Sequence, residues 1–217
     1  MRIIKHIAAL TVGLAAGHSI AAPVSPTFTT FGTLSAATFG GTGIPNNAVA
    51  YTNFQGITIG LTAHQRFSQP ALTNNGAGVF QAQTGAFDNL GDNLARWNFG
   101  FCIGGTNTAQ YVYTLFVDYL SAADNNFSTY TSFTLPMPMQ GSQNLGFEAT
   151  FAQFDPNMAG QYGFVLEARS RDGNLIGPVV ARSAILVNVG QVPEPATLAL
   201  VGIALVGMAG TLRRKAV

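Results

Sequence analysis

One histidine and one cysteine in the middle of the chain have side chains that could serve as a base or a nucleophile. The sequence has three histidines and one cysteine, and His64 and Cys102 are the two that lie away from the N-terminal segment. A Ser-His-Asp triad could use only His64, and a Cys-His pair could use only these two residues. Zinc needs several His, Cys or carboxylate ligands, which they cannot supply. We expect no catalysis or zinc binding, and we expect His64 to be solvated on the polar face of a strand beside Arg66.

Cys102 excludes an intramolecular disulfide because it has no second cysteine to pair with. A lone thiol in an exported protein is usually buried and inert, and an intermolecular bridge is the alternative. We predict that Cys102 is buried.

Paired carboxylates would be needed for glycoside hydrolysis, and the central chain has two glutamates, Glu148 and Glu167. Both fall on predicted outer faces of strands, where Glu167 and Arg169 would form a solvated polar patch. We therefore expect that the protein is not an enzyme. A secreted glycoside hydrolase remains an alternative, and loss of activity in Glu148→Gln or Glu167→Gln would be its minimum support.

Two loops carry clustered oxygen ligands of the kind that calcium prefers: residues 88–93, with Asp88 and Asp92, and residues 124–126, with Asp124. Neither follows the helix-loop-helix calcium pattern, and Asn and Asp are common turn formers. No Gly-rich phosphate-binding motif of a strand-loop-helix unit occurs. We expect no cofactor, with bound calcium left open.

A different kind of recognition is encoded at the C-terminus. It has three parts: the motif Val192, Pro193, Glu194 and Pro195; the uncharged residues 196–212; and the basic residues Arg213, Arg214 and Lys215. A helix over residues 196–212 would be roughly 25 Å long, at the short end for a bilayer core of about 30 Å. The positive-inside tendency predicts a cytoplasmic stop-transfer cluster and a motif on the outer face of the membrane. The two prolines favour an extended, readable motif, although Pro195 and Glu194 also suit a helix start.

This order of motif, apolar segment and basic cluster resembles the PEP-CTERM sorting signal. The resemblance implies export in a Gram-negative bacterium, recognition by the membrane transpeptidase exosortase, and processing near the motif. It also implies an association with exopolysaccharide and biofilm matrix at the cell surface or outside the cell, after transient anchoring in the inner membrane. Residues 43–46 and 57–63 resemble passengers of other PEP-CTERM proteins, a likeness that carries no activity.

The N-terminus has the pattern of a signal peptide over residues 1–21. Arg2 and Lys5 precede a mostly apolar stretch, and small residues at Ser19 and Ala21 suit cleavage by signal peptidase after Ala21, which leaves Ala22 as the new terminus. The apolar stretch is shorter than a spanning helix needs. We predict three parts: the signal peptide 1–21, a passenger domain 22–191, and the sorting signal 192–217.

The passenger is weakly acidic. Residues 22–191 hold five arginines, no lysine and eight acidic residues, a net charge of −3. Nucleic acid binding needs several phosphate contacts, and attachment to anionic lipid needs a polybasic cluster. We therefore expect neither partner for the passenger.

Strand periodicity dominates the passenger. Four segments alternate apolar with polar residues, as a strand with one buried face does. Their apolar positions are Ile57, Ile59, Leu61 and Ala63; Trp97, Phe99, Phe101 and Ile103; Phe147, Ala149 and Phe151; and Tyr162, Phe164, Leu166 and Ala168. Residues 111–120 and 181–189 are more continuously apolar and predict central strands.

Turn signals join these strands. Asp172-Gly173 predicts a hairpin, and Pro178 predicts a bulge or a sheet edge just after it. Many short strands joined by Gly- and Asn-rich loops predict an all-β protein with a single antiparallel β-sandwich, of jelly-roll or Ig-like topology.

Three functional hypotheses follow. The first is an exported matrix or surface protein without catalysis. The second is a carbohydrate-binding module, for which the candidate aromatic platforms are Trp97, Tyr111, Tyr113, Tyr119 and Tyr130, although each of them also suits a core. The third is the secreted hydrolase.

Overall fold

The described part of the passenger folds into eleven strands. The computed structural model describes residues 24–66, 71–87, 94–120, 131–147 and 151–190. The predicted signal peptide 1–21 and sorting signal 192–217 lie outside these residues. The strands are β1 Thr30–Gly32, β2 Val49–Phe54, β3 Ile57–Gln65, β4 Thr73–Asn74, β5 Val79–Gln83, β6 Trp97–Gly105, β7 Tyr111–Val117, β8 Thr131–Leu135, β9 Met139–Gln143, β10 Gly160–Asp172 and β11 Leu175–Gly190.

The strands form two sheets. A five-stranded sheet has the order β1-β2-β3-β6-β9, and a six-stranded sheet has the order β4-β5-β11-β10-β7-β8. The prediction of an all-β fold is confirmed. The predicted jelly-roll or Ig-like topology is wrong. A jelly roll has about eight strands and an Ig fold has seven to nine, and in both folds the strand order within the sheets differs from the order found here.

One strand pair is parallel, which corrects the prediction of a purely antiparallel sandwich. Strand β5 runs parallel to β11, with Leu186 opposite Val79 and Gly190 opposite Gln83, whereas the other pairs are antiparallel. Alternation of apolar and polar residues fixes which face of a strand is buried. It does not fix the direction of the neighbouring strand, so the sequence pattern could not reveal this pair.

The core lies between the inner faces of the two sheets. The apolar positions predicted on β3, β6 and β10 are all buried in one cluster. Aromatic rings join the sheets across it: Phe99 stacks on Phe164 with ring centroids 4.4 Å apart, and Trp97 meets Phe164 edge-on at 6.1 Å. The predicted central strands at 111–120 and 181–189 are β7 and β11, and both lie inside the six-stranded sheet.

A polar bridge crosses this apolar core. Ser183 on β11 is fully buried and points at the other sheet, where its hydroxyl lies 3.1 Å from the carbonyl oxygen of Ile59 and 3.2 Å from the Thr52 hydroxyl. The Thr52 hydroxyl donates back to the carbonyl oxygen of Arg182 at 2.8 Å. Because buried polar groups are costly unless paired, the bridge favours one relative placement of the sheets.

Two tight hairpins set the strand register. Strands β10 and β11 are joined at Gly173, whose φ of 57° confirms the hairpin predicted there. The ladder slips near Pro178, opposite residues 168–171, so the predicted bulge is also confirmed. The β2–β3 turn uses Gln55 and Gly56, both at positive φ, and lacks the usual Asn-Gly or Asp-Gly signal.

The strand predicted around residues 147–151 is not found at the two residues described there, Phe147 and Phe151. Residues Leu145–Phe147 form a short 3-10 turn, and Phe147 is exposed. Three apolar residues at alternate positions are too short a pattern to separate a strand from a turn. Among the residues that the structure describes, no helix has the length and apolar character needed to cross a bilayer.

Candidate functional site

The outer face of the five-stranded sheet presents a row of polar side chains from three neighbouring strands. His64 on β3 pairs with Asn98 on β6, and Ser142 on β9 pairs with Gly100 on β6. Because Ile57, Ile59, Leu61 and Ala63 of β3 face the core, even-numbered residues of that strand face outwards. The same alternation on β6 and β9 brings the three polar side chains together.

These three side chains, called here the polar row, are linked by hydrogen bonds. Nδ1 of His64 lies 2.9 Å from the carbonyl oxygen of Gln65, which can only accept, so Nδ1 carries the proton. Nε2 of His64 therefore accepts from the Ser142 hydroxyl, also at 2.9 Å. The amide nitrogen of Asn98 in turn donates to Ser142 Oγ at 2.9 Å.

His64 is buried, which corrects the expectation that it is solvated. Its exposed fraction is 5%, and desolvation lowers the pKa of His64, opposed in part by the hydrogen bond to Gln65. The imidazole is therefore neutral at neutral pH. The sequence pattern placed His64 correctly on the face away from the core, but it could not show the hydrogen bond to Ser142, which is distant in sequence.

Asn144 holds the polar row in place through hydrogen bonds. In the sequence, nothing marked Asn144 as more than a turn residue. It is fully buried, and its Oδ1 accepts from the backbone nitrogens of Ala95 and Gly146 at 2.9 and 3.0 Å. Its amide nitrogen lies within 3.0 Å of three acceptors, the carbonyl oxygens of Ala95 and Trp97 and Oδ1 of Asn98. Asn144 thereby holds the start of β6 against the end of β9 and orients Asn98.

The loop formed by residues 33–48, called here the outer loop, packs on the same face of the sheet, at Gly100. Gln140 on β9 holds it: Oε1 accepts from the backbone nitrogens of Thr38 and Phe39 at 2.7 and 3.1 Å, and Nε2 donates to the carbonyl oxygen of Ala36 at 3.3 Å. Phe39 packs so closely on Gly100 that a Cβ atom added to Gly100 would lie 2.9 Å from the Phe39 ring.

A second, smaller core lies under the outer loop. It contains Ala37, Phe39, Val49 and Cys102. Burial of Cys102 is confirmed, and desolvation raises the pKa of its thiol to about 11, which makes it unreactive at neutral pH.

A cleft of about 800 Å³ opens between the outer loop and the polar row. Its floor holds His64, Asn98 and Ser142, and one wall is formed by residues 39–45. Among the described residues that line it, Arg66 carries the only formal charge at neutral pH. The site is thus rich in neutral hydrogen-bonding groups and contains no carboxylate within the part of the chain described.

An aromatic ring forms the rim of the cleft beside this cation. The Arg66 guanidinium lies 4.6 Å from the ring centroid of Phe147 and 5.7 Å from that of Phe87. Arg66 is buried, whereas Phe147 is 56% exposed. Cation–π contact therefore holds Phe147 in place while leaving much of its ring open to the cleft.

The C-terminal end of the chain matches a family model described as the PEP-CTERM protein-sorting motif, over residues 191–215. The chain therefore carries a PEP-CTERM sorting motif at its C-terminal end. The matched residues include the predicted motif and the basic cluster. No curated protein matches the chain.

The motif indicates where the PEP-CTERM protein is sorted. It supports export and membrane-anchored sorting to the cell surface by exosortase. The motif Val192 to Pro195, the basic cluster Arg213 to Lys215 and the predicted cleavage site at Ala21 and Ala22 lie outside the residues that the structure describes.

Glu167 does not form the solvated patch that was expected. It is 3% exposed, on the outer face of the six-stranded sheet, where it pairs with Arg169 at 3.0 Å and with Arg182 at 3.7 Å. The burial arises because Arg182 of β11 lies directly opposite Glu167 in the ladder. Glu167 and the polar row thus belong to different sheets, and Glu148 lies outside the described residues.

Most of the aromatic side chains considered as carbohydrate platforms belong to the core. Trp97, Tyr111 and Tyr113 are buried, and Tyr119 is partly buried against Phe151 at 5.2 Å between ring centroids. Tyr130 lies outside the described residues. The exposed aromatic residue at the cleft is instead Phe147, which the sequence pattern assigned to a core-facing strand position.

The two candidate calcium loops, residues 88–93 and 124–126, also lie outside the described residues. Within those that are described, no group of three or more His, Cys, Asp or Glu side chains is placed to hold a metal ion. Calcium binding at either loop stays a prediction.

Proposed function

We propose that this PEP-CTERM protein is an exopolysaccharide-associated surface or matrix protein without catalytic activity. In this proposal signal peptidase removes residues 1–21, and residues 196–212 hold the chain in the inner membrane until exosortase acts. The observation that carries the proposal is the sorting motif at residues 191–215. It is supported by a passenger with a net charge of −3 and no lysine, which suits a partner other than nucleic acid or anionic lipid.

The cleft chemistry favours a static role for the polar row. Ser142 Oγ already accepts from Asn98, and His64 Nδ1 donates to a main-chain carbonyl rather than to a carboxylate. In a triad the carboxylate stabilises the imidazolium that forms when the serine is deprotonated. Burial disfavours that imidazolium further, since it lowers the pKa of His64.

Deletion of exosortase tests the sorting. We expect the deleted strain to retain the chain in its inner membrane with the tail still attached, whereas the parent strain carries processed protein at its surface. Mass spectrometry of the C-terminal peptide and membrane fractionation would measure both. Surface protein that still ends at Val217 in the parent strain would contradict the proposal.

A serine hydrolase is the second candidate, favoured by the 2.9 Å hydrogen bond from the Ser142 hydroxyl to Nε2 of His64. In such an enzyme Ser142 Oγ would attack an ester carbonyl, and His64 would take its proton and pass it to the leaving alcohol. A fluorophosphonate probe distinguishes the two candidates, because it labels activated serines. Labelling that disappears in both Ser142→Ala and His64→Gln would replace the non-catalytic proposal.

A further inference from the structure

We propose that the cleft between the outer loop and the polar row binds a sugar unit of a glycan chain. This inference rests on the proposed exopolysaccharide association and names the surface that would make the contact.

The hydrogen-bonding character of the floor fits a polyhydroxylated ligand. Each sugar hydroxyl both donates and accepts, so it is best matched by neutral side chains that do the same. Asn98, Ser142 and Gln65 supply such groups at the cleft, and His64 is neutral there. A cation would need several carboxylate or carbonyl ligands, and a polyphosphate would need several basic groups. The described lining of the cleft offers neither set.

The rim supplies the apolar half of the contact. The face of an aromatic ring carries partial negative charge, so it attracts the C–H groups of a sugar ring, which are polarised by the neighbouring oxygens. Phe147 exposes 56% of its surface, and Arg66 fixes its ring from one side at 4.6 Å.

The cleft is held in shape before any ligand binds. Asn144 orients Asn98 from below, and Gln140 ties the outer loop to β9 through three hydrogen bonds. Fixed groups lose little conformational freedom on binding, which reduces the entropic cost. The volume of about 800 Å³ also lies within the range of about 300–1,000 Å³ usual for small-molecule sites.

The test uses the full-length chain, purified in a detergent without a sugar headgroup so that the detergent does not compete. Isothermal titration would be run with three probes: cellohexaose as a neutral glycan, a mannuronate hexasaccharide as an acidic one, and exopolysaccharide extracted from the producing strain. We expect Phe147→Ala to weaken binding about tenfold, equivalent to roughly 1.4 kcal/mol. We expect Thr42→Trp, at an exposed position on the wall, to block the cleft.

Matched controls separate the cleft from the rest of the surface. Leu175→Ala removes an apolar side chain that is also exposed, at the tip of the β10–β11 hairpin, and should leave binding unchanged. Phe147→Trp should retain binding, because it keeps an aromatic face. Unaltered thermal unfolding of each variant would show that the fold is intact.

The outcomes are distinct. Binding by the wild type that both cleft variants weaken supports the proposal, and a preference for mannuronate over cellohexaose would identify an acidic sugar. Equal binding by wild type and cleft variants would overturn the cleft assignment and leave the exopolysaccharide association standing. A wild type that binds none of the three probes would overturn both.

Discussion

The outer faces of the two sheets differ in the way their polar residues are stabilised. On the five-stranded sheet the polar row is neutral, linked by hydrogen bonds of 2.9 Å, and bordered by an open cleft. On the six-stranded sheet, Glu167 is charged and lies between Arg169 and Arg182, both partly exposed. A neutral network depends on fixed geometry, whereas ion pairs that reach the solvent tolerate rearrangement. The first arrangement therefore suits selective binding and the second suits a stable surface.

Substitution of Asn144 should produce the largest loss of stability, because Asn144 fixes the geometry of the polar row directly. Asn144→Ala leaves the buried backbone nitrogen of Ala95 without its acceptor and releases Asn98. Buried groups left unpaired cost about 1–3 kcal/mol each, so we expect the free energy of unfolding to fall by about 2–4 kcal/mol. Denaturant unfolding would measure the loss.

The control for Asn144 is Asn53→Ala. Asn53 is exposed and accepts one hydrogen bond, from the Thr58 hydroxyl at 2.7 Å. We expect its substitution to change stability by about 0.5 kcal/mol or less. Equal losses in the two variants would mean that Asn144 has no special role in fixing the polar row.

Two glycines on β6 test whether the outer loop packs closely against the outer face of the five-stranded sheet. A Cβ at Gly100 would lie 2.9 Å from both the Phe39 ring and the Thr62 methyl group, whereas a Cβ at Gly104 would meet nothing within 4 Å. We expect Gly100→Ala to destabilise the protein by about 1–3 kcal/mol through overpacking. Gly104→Ala should be neutral or stabilising by up to about 1 kcal/mol, since it restricts the unfolded chain.

Protease sensitivity adds a local measurement to this pair. If Phe39 is displaced in Gly100→Ala, the outer loop should be cleaved sooner than in the wild type, and Gly104→Ala should not differ from the wild type. Equal stability and equal cleavage in the two variants would contradict the close contact of loop and sheet.

A substitution on the outer face of the six-stranded sheet should cause a smaller loss of stability. Glu167→Gln keeps the shape of the side chain and removes its charge, and Arg169 and Arg182 can turn to the solvent because about a third of each side chain is already exposed. We expect a loss of about 1–2 kcal/mol that shrinks in 1 M salt, because screening weakens partly exposed pairs. Asp172→Asn, at an exposed position, is the control. A loss as large as that of Asn144→Ala would remove the contrast between the two faces.

The sequence was sufficient to predict the inner faces of the sheets. Leu61, Phe101 and Phe164 are buried as their alternation predicts, because burial on one face of a strand is a local property repeated every second residue. The hairpin at Gly173 was equally predictable, since positive φ favours glycine at that turn.

The outer faces could not be predicted in the same way. His64 is buried where it hydrogen-bonds to Ser142, a residue on another strand and distant in sequence. Glu167 is buried because Arg182 arrives opposite it on another strand. Alternation identifies which residues face away from the core, but what covers them depends on contacts between distant segments. The candidate site therefore emerged from the fold rather than from a motif.

The smallest effect concerns the protonation of His64 and separates the two faces by pH. Burial lowers the pKa of His64 in the folded chain below its usual value of 6.5, so at lower pH the unfolded chain binds this proton more readily. The free energy of unfolding should then fall as the pH drops through about 6.5, by at most about 1.4 kcal/mol per pH unit, until the folded chain also takes up the proton. Above that pH His64 makes no such contribution.

His64→Gln isolates this contribution, because Gln can still bond to Ser142 but does not titrate. Denaturant unfolding at pH 7.5 and pH 5.5 should show a larger loss in the wild type than in His64→Gln, whereas Glu167→Gln should keep the wild-type loss over this interval. Arg66 is the charged group of the described cleft lining. If His64→Gln loses as much stability as the wild type, burial does not hold the imidazole neutral, and the polar row is not the uncharged network that separates this face from the other.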